Sequence, residues 1–166
     1  MTEKPNYFFF YGLTGVGKSY CGKAIARMLN AHFYDLDRDI TDSMRAAIAA
    51  EQPFAEEVRD EFFEVVCQRI AAVKAEHPRC VFAQGAYRKK HRELVQRNHP
   101  DVLFVMVDAP ERIVRERVRG RARGVSPNYA EILKASFESA PLGGLVLMND
   151  GCSDSELERR FYELIS

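Results

Sequence analysis

The sequence of 166 residues lacks tryptophan, has four scattered cysteines, and carries no net charge, since 24 basic residues match 24 acidic ones. Without a Cys-x-x-Cys pair, the cysteines favour buried small apolar side chains over disulfides or a metal centre. Balanced charge gives no general attraction to nucleic acid or to a membrane surface. No apolar run approaches a membrane span, and the first residues lack a signal-peptide pattern. We expect a cytoplasmic protein that binds neither membranes nor nucleic acid.

What the sequence does contain is a complete Gly-x-x-x-x-Gly-Lys-Ser motif at residues 12–19. The aromatic run at residues 7–11 before it is typical of a buried strand. The motif is followed by apolar residues at the spacing of one helix face, namely Cys21, Ala24, Ile25 and Met28. Between a strand and a helix, successive backbone N–H groups converge on phosphate oxygens. We therefore interpret residues 12–19 as a phosphate loop that binds a nucleoside triphosphate.

Within the phosphate loop, Lys18 is predicted to act as a catalytic cation on the outer phosphates, and the Ser19 hydroxyl to bind Mg²⁺. Glycines allow the chain to turn and to approach the anion without intervening side chains. The predicted nucleotide-binding residues are Gly12, Thr14, Gly15, Val16, Gly17, Lys18, Ser19 and Tyr20.

Strand and helix signals alternate along the rest of the chain. Short apolar runs predict four more strands, at residues 31–34, 80–83, 102–107 and 145–148. This order indicates an α/β fold, a P-loop NTPase arranged as a three-layer sandwich around a five-stranded parallel sheet. We expect a single domain over residues 1–166, with a substrate-binding helical insert at about 36–76 and a short lid at about 119–128, as in nucleoside monophosphate kinases.

Three helix boundaries are predicted from local patterns. An alanine-rich segment predicts a helix over residues 39–50. Asp108 is expected to cap the helix that has Pro110 in its first turn. A further helix is expected over Tyr129–Ser139.

Asp35 and Asp37 follow the second predicted strand, on the edge of the sheet that should carry the phosphate loop. Two carboxylates there can bind Mg²⁺ or accept a proton from an acceptor hydroxyl. Capping of the next helix is an alternative role for Asp35. Gln84 stands after the third strand, where an acidic residue is usual, so we assign the metal to Ser19, Asp35 and Asp37. Asp37 is also predicted to be catalytic and to bind the acceptor.

Six arginines fall within twelve residues, and they are Arg112, Arg115, Arg117, Arg119, Arg121 and Arg123. Arg112, Arg115 and Arg119 follow helical spacing with glutamates nearby, which indicates a solvated face. Arg121 and Arg123 lie between two glycines. We predict that these two are catalytic residues of a lid that stabilises phosphoryl charge and excludes water.

Arg59 and Arg88 belong to two other basic segments. Because a guanidinium recognises carboxylates and phosphates, both are predicted to bind an anionic acceptor. A solvated helix face is the alternative for each.

Over almost the whole chain, these residues resemble the small P-loop kinases of the gluconokinase and shikimate kinase group. The basic segment at residues 85–95 and the run from Leu103 to Pro110 are similar to gluconokinases, whereas Asp35–Ile40 is more similar to shikimate kinases. The resemblance implies that the lid arginine lies over ATP.

The acceptor positions differ from both groups. Ile40 and Thr41 occupy the positions of the gluconokinase His-Pro pair, and Met44 that of its Asn. Ala55 occupies the position of the shikimate kinase Arg. The nucleotide half of the resemblance therefore transfers better than the identity of the acceptor.

Taken together, the sequence predicts an ATP-dependent kinase that phosphorylates a hydroxyl of a small anionic metabolite, a sugar acid in the first instance. Shikimate kinase and nucleoside monophosphate kinase activities are alternatives. In a different class, an adenine-nucleotide-dependent regulatory module without kinase activity is the rival. A guanine-specific switch is disfavoured, since the chain has no Asn-Lys-x-Asp motif. A monomer and a homodimer are both compatible with the sequence.

Overall fold

The computed structural model describes residues 4–121, 124–139 and 142–166. In these parts of the chain the strands are β1 (Tyr7–Tyr11), β2 (His32–Asp35), β3 (Cys80–Ala83), β4 (Val102–Asp108) and β5 (Val146–Met148). The α-helices are α1 (Lys18–Leu29), α2 (Asp42–Ala49), α3 (Glu56–Glu76), α4 (Lys89–Asn98), α5 (Glu111–Arg119), α6 (Pro127–Lys134) and α7 (Asp154–Ile165). None of the described helices is both long enough and apolar enough to span a bilayer.

The strands form one sheet in the order β2-β3-β1-β4-β5, and every pairing is parallel. Phe9 at the centre of β1 is in register with Phe82 of β3 and Phe104 of β4. Because all strands run the same way, the segments that follow β1, β2 and β3 meet at one edge of the sheet. The predicted five-stranded parallel sheet is confirmed.

Side chains of β1 alternate between two hydrophobic cores, one on each face of the sheet. Phe8 and Phe10 pack with residues of α1 and α7, and Phe8 contacts Phe161 edge to face at 5.2 Å between ring centroids. Phe9 packs on the other face with residues of α3 and α4, and it stacks on Phe104 at 4.9 Å. Helices therefore cover both faces, which confirms the three-layer arrangement. All four cysteines are free thiols; Cys21, Cys67 and Cys80 are buried, as expected, whereas Cys152 is only partly buried.

Two predicted helix starts are wrong, because strand pairing and a tight turn take up the residues concerned. Helix α2 begins at Asp42, capped by Thr41, since residues 36–39 form a 3₁₀ turn. Asp108 does not cap α5. It is the last residue of β4, paired with Met148 of β5, and the N-cap of α5 is Pro110.

Helix α6 is also displaced from its predicted range. Ser126 caps it, Pro127 opens it, and it ends at Lys134 instead of Ser139. The chain leaves the helix because the Glu138 N–H donates to the Tyr87 carbonyl at 2.9 Å. This hydrogen bond joins the segment after α6 to the loop after β3.

Arg92 fixes the same loop from within the core. Its side chain is fully buried, and its guanidinium lies 4.4 Å from the ring centroid of Tyr11. Nε donates to the Ala86 carbonyl at 2.7 Å, and Nη2 donates to the carbonyls of Tyr87 and Glu138 at 3.1 and 2.6 Å. One buried cation therefore satisfies three carbonyl groups that no strand or helix could pair.

Replacing Arg92 by Met should lower the free energy of unfolding by about 3 kcal/mol, because the carbonyls of Ala86 and Glu138 lose the guanidinium donor and that of Tyr87 keeps only the Glu138 N–H. Urea denaturation measures the change. Arg97→Met, on the exposed side of the same helix, is the matched control and should stay within about 0.5 kcal/mol of the parent. Equal stability of the two variants would contradict a structural role for Arg92.

Candidate active site

Two glycines of the phosphate loop stand where a side chain would clash or strain the backbone. Gly17 has φ +89° and is the N-cap of α1, so the helix begins at Lys18. A Cβ atom on Gly12 would lie 2.4 Å from the Val107 carbonyl oxygen of β4. The loop therefore follows the carboxyl end of β1 and ends at a helix N-terminus, which is the arrangement that binds phosphate.

Two residues that the sequence did not single out support the loop from behind. The Asn149 side-chain amide donates to the Val16 carbonyl at 2.9 Å. Arg117 donates to the carbonyls of Gly15 and Val16 at 3.4 and 3.1 Å, and to that of Asn149 at 3.2 Å. Asn149 follows β5 at the carboxyl edge of the sheet, and this position is the feature of the sequence from which its role could have been predicted. Arg117 belonged to an arginine run in which nothing local distinguished it.

Lys18 is half-buried and its Nζ donates to the Leu13 carbonyl at 2.9 Å. Burial lowers the pKa of Lys18 to about 8, and nearby Arg121 acts in the same direction. The carboxylates of Asp37 and Asp35 oppose this change. A phosphate group would offer Lys18 the negative partner that the carbonyl does not.

Asp35 takes the capping role that its sequence position left open, and it also contacts Ser19. Its Oδ2 accepts a hydrogen bond from the Ser19 hydroxyl at 2.9 Å, and its Oδ1 accepts one from the Asp37 N–H at 3.0 Å. The second bond caps the 3₁₀ turn after β2. Asp35 thus holds the Ser19 hydroxyl while it fixes the backbone of Asp37.

Asp37 lines a cavity beside the phosphate loop, and its Oδ1 accepts a hydrogen bond from Gln84 Nε2 at 2.9 Å. Loss of hydration raises the pKa of Asp37, with a further contribution from Asp35, while Lys18 and Gln84 oppose the shift. Gln84 also accepts from the Ala86 N–H at 2.6 Å. Where an acidic residue was expected, a glutamine therefore orients Asp37.

Oxygen ligands suitable for Mg²⁺ are present at this edge, on Ser19, Asp35 and Asp37. Within the described ranges, no group of three or more His, Cys, Asp and Glu side chains could hold a metal alone. Phosphate oxygens and water would have to complete the coordination, which is how Mg²⁺ is usually bound in phosphoryl-transfer sites. The assignment of the metal to these residues stays a prediction.

The other residues predicted on the nucleotide side differ in whether they contact the phosphate loop. Arg121 reaches the phosphate loop, where its Nη1 donates to Thr14 Oγ1 at 3.2 Å. Arg123 lies outside the described residues. The side chain of Tyr20 is half exposed and donates to Asp154 of α7. Arg112 and Arg115 pair with glutamates on α5, which confirms a solvated face for them.

A cavity of about 210 Å³ opens beside the phosphate loop, and Lys18, Asp37 and Gln84 form its polar floor. Its apolar wall is formed by Ile40, Met44, Ile48, Phe54, Phe62 and Phe63. Polar groups are therefore concentrated near the loop, and hydrocarbon covers much of the remaining surface.

Arg59 is the buried cation of this wall, with 7% of the residue exposed. Its Nη2 donates to Ser136 Oγ at 2.7 Å, and its guanidinium lies 5.5 Å from the ring centroid of Phe54. Among the described residues no carboxylate lies within ion-pair distance of Arg59. Such a guanidinium is suited to receive an anion from outside.

Arg88, the other residue predicted to bind the acceptor, is not part of the cavity lining. Its Nε lies 3.3 Å from Glu138 Oε1 and 3.9 Å from Glu56 Oε1. Carboxylates of the protein itself therefore neutralise Arg88, and the structure offers it no contact with a ligand in the cavity.

Tyr87 was missed by the sequence analysis, although it lines the cavity and contacts the phosphate loop. Its hydroxyl oxygen accepts a hydrogen bond from the Thr14 N–H at 2.9 Å. Its ring packs edge to face on Phe137 at 5.2 Å.

A phosphate loop at the carboxyl edge of a parallel sheet ordered 2-3-1-4-5, with a cavity beside it, defines the fold of the P-loop kinases. The sequence model described as shikimate kinase matches residues 14–138. The chain belongs to the shikimate kinase family, which confirms the resemblance inferred from its motifs.

Curated relatives include both gluconokinases and a shikimate kinase. The chain is 26% identical to gluconokinase of Arabidopsis thaliana over 67% of its length and 64% of the relative's. It is 25% identical to thermosensitive gluconokinase of Escherichia coli, over 80% of this chain and 70% of that one. It is 31% identical to shikimate kinase of a Marinomonas species, over 59% and 54%. The chain thus spans about two thirds or less of the length of most of these relatives.

Solved structures agree on the fold. A gluconokinase from Sinorhizobium meliloti superposes with a TM-score of 0.78 at 20% identity, over 95% of this chain and 90% of that one. A shikimate kinase from Acinetobacter baumannii gives 0.66 at 17% identity, over 98% and 93%. At these identities the structures establish architecture and leave the acceptor open.

The pKa of Lys18 generates a pH prediction. Burial lowers the pKa of Lys18 to about 8, and only the protonated lysine attracts phosphate, so the Kd for ATP should be flat below pH 8. Above it, the Kd should rise by up to about tenfold per pH unit. Calorimetric titrations from pH 7 to 9.5 measure this. Lys18→Met should bind more weakly but with no such rise, and a wild-type Kd unchanged across the range would refute the prediction.

Proposed function

We propose that the protein is an ATP-dependent kinase that transfers the γ-phosphoryl group to a hydroxyl of a small anionic metabolite. The observation that carries this proposal is that one cavity is lined by the phosphate-loop lysine, Lys18, by the carboxylate of Asp37 and by the buried cation Arg59. Such a transfer needs a group that binds the phosphates of the donor, a proton acceptor and an anchor for the anionic acceptor. Lys18, Asp37 and Arg59 would supply these in turn.

In the proposed reaction, the hydroxyl oxygen of the acceptor attacks the γ-phosphorus of ATP. The bond between that phosphorus and the β–γ bridging oxygen breaks, and ADP leaves with the electron pair. The hydroxyl proton passes to Asp37, whose raised pKa favours accepting it. Lys18 and Arg121 neutralise charge on the transferred group. Mg²⁺ bound at Ser19 and an aspartate would supply further positive charge to the phosphate oxygens.

The division of the chain supports the same proposal. We assign residues 1–166 to one domain, in which the insert at about 36–76 supplies Ile40, Met44 and Arg59 to the acceptor wall. From the proposed lid at about 119–128, Val125 also lines the cavity. Both segments that the sequence set apart from the sheet therefore reach the acceptor side.

The acceptor that fits this cavity is an anion with an apolar face. A carboxylate or phosphate group would pair with Arg59, while Ile40 and Met44 offer no hydrogen bond to a polyhydroxylated chain. Each polar group of a ligand that is buried without a partner costs about 1–3 kcal/mol. We therefore expect gluconate to be a weak substrate or none, shikimate to be poorer, and a less polar hydroxy acid to be better than either.

A coupled assay of ADP release across sugar acids, less polar hydroxy acids, shikimate and nucleoside monophosphates tests the proposal. At least one hydroxy acid should raise ADP release well above the ATP-only rate. Lys18→Ala should lower this acceptor-stimulated rate by orders of magnitude while the protein still folds. Arg59→Met should raise the KM for the acceptor about tenfold or more, with ATP affinity unchanged.

Two outcomes would contradict this proposal. No stimulation by any acceptor, together with intact ATP binding, would favour the regulatory module. Efficient shikimate phosphorylation, with kcat/KM above that of every sugar acid, would overturn the expected order of substrates.

Substitution of the two aspartates should separate their roles. Asp37→Asn should lower kcat about 100-fold or more, because the proton acceptor is lost, and should change the Kd for ATP much less. Asp35→Asn retains an oxygen beside Ser19 and should reduce kcat less. Steady-state kinetics and ATP titration of both variants measure this, and the reverse order of effects would show that the two roles are exchanged.

A further inference from the structure

The side chain of Tyr87 stands where the acceptor cavity meets the phosphate loop. Its hydroxyl oxygen accepts from the Thr14 N–H at 2.9 Å, and Arg121 donates to the hydroxyl of the same threonine at 3.2 Å. Tyr87 and Arg121 therefore contact the same loop residue: Tyr87 bonds to the backbone of Thr14, and Arg121 bonds to the Thr14 side chain. Tyr87 also lines the cavity together with Lys18 and Asp37.

The backbone and packing of the loop after β3 fix the orientation of the Tyr87 side chain. Ala86 has φ +44°, a conformation that is uncommon for any residue but glycine, and its N–H is held by Gln84 at 2.6 Å. Gly85 leaves space for the ring, since a Cβ atom there would lie 2.9 Å from Tyr87 Cε1. Arg92 fixes the Tyr87 carbonyl from behind. Strain and close packing of this kind persist where the surrounding structure imposes them, often at functional sites.

The phenol of Tyr87 is a donor without an internal acceptor. Burial raises the pKa of Tyr87 to about 12, so the hydroxyl keeps its proton at neutral pH. One lone pair receives the Thr14 N–H, and in the described part of the chain no group accepts the phenolic hydrogen. Tyr129, the other tyrosine of the cavity, differs because its hydroxyl donates to the Gln52 carbonyl at 2.9 Å.

We propose that Tyr87 is a catalytic residue that donates its phenolic hydrogen bond to the phosphoryl group during transfer. This inference rests on the proposed kinase function and adds to it a donor on the acceptor side of the phosphate loop. Tyr87 keeps its proton throughout, so that the proton of the acceptor still passes to Asp37. The hydrogen bond strengthens as negative charge gathers on the phosphoryl oxygens, which is the condition for a contribution to rate.

The test uses Mg·ADP with and without aluminium fluoride, which mimics the phosphoryl group in transfer and needs no known acceptor. Calorimetry gives the Kd for ADP in both conditions for the wild type, Tyr87→Phe, Tyr129→Phe and Lys18→Ala. Aluminium fluoride should tighten binding to the wild type and to Tyr129→Phe equally. Tyr87→Phe should lose about 10- to 100-fold of that tightening, with the Kd for ADP alone within twofold. Lys18→Ala should lose it entirely.

The outcomes separate this inference from the proposed function. Full tightening in Tyr87→Phe alongside its loss in Lys18→Ala would overturn the role of Tyr87 and leave the kinase proposal standing. Weaker binding of ADP alone in Tyr87→Phe, by the same factor as in the fluoride complex, would reduce Tyr87 to shaping the loop and would also overturn the inference. No tightening in the wild type would remove both proposals.

Thermal denaturation is the control for correct folding. Tyr87→Phe should melt close to the wild type because its ring is retained. A second measurement needs no variant at position 87. In wild-type protein with tyrosines labelled at ¹³Cζ, one resonance should shift when aluminium fluoride joins Mg·ADP, and Tyr129→Phe should retain it. A spectrum in which no tyrosine responds would count against the proposed hydrogen bond.

Discussion

A loop that offers backbone N–H groups to an anion leaves its carbonyl groups to be satisfied by the protein, and the site depends on how this is done. Lys18 takes the Leu13 carbonyl, and Arg117 and Asn149 share that of Val16. Each donor comes from a different element, so the phosphate loop is attached to α1, α5 and the segment after β5 at once. The conformation of eight residues thus rests on the packing of the whole nucleotide half.

The acceptor side is built on the opposite principle, with few polar contacts and one buried charge. Arg59 is held by a hydroxyl and an aromatic face, neither of which neutralises it. Burying a cation in this way costs free energy unless an anion compensates. An acidic ligand such as the proposed acceptor would recover that cost, so the wall of the cavity favours charge at one point and hydrocarbon elsewhere.

Local patterns were enough to predict most of the fold, because strands, helix faces and the phosphate loop are determined by residues that are close in the sequence. The loop and five strands were located to within a residue or two. Errors arose where a distant contact decided the outcome: Asp108 extends β4 because Met148 pairs with it, and α6 stops short because Glu138 bonds to Tyr87. The roles of Asn149 and Tyr87 escaped for the same reason, since their loop partners lie 133 and 73 residues away.

The dependence of the phosphate loop on Asn149 has a consequence for synthesis. On the ribosome, residues 12–19 emerge early, but the amide that supports Val16 is translated 133 residues later. Until then the loop lacks one of its donors, and the edge of the sheet on which β5 pairs is open. The phosphate loop can therefore reach its final conformation only after Asn149 has emerged, and nucleotide binding would report that the chain has been made at least that far.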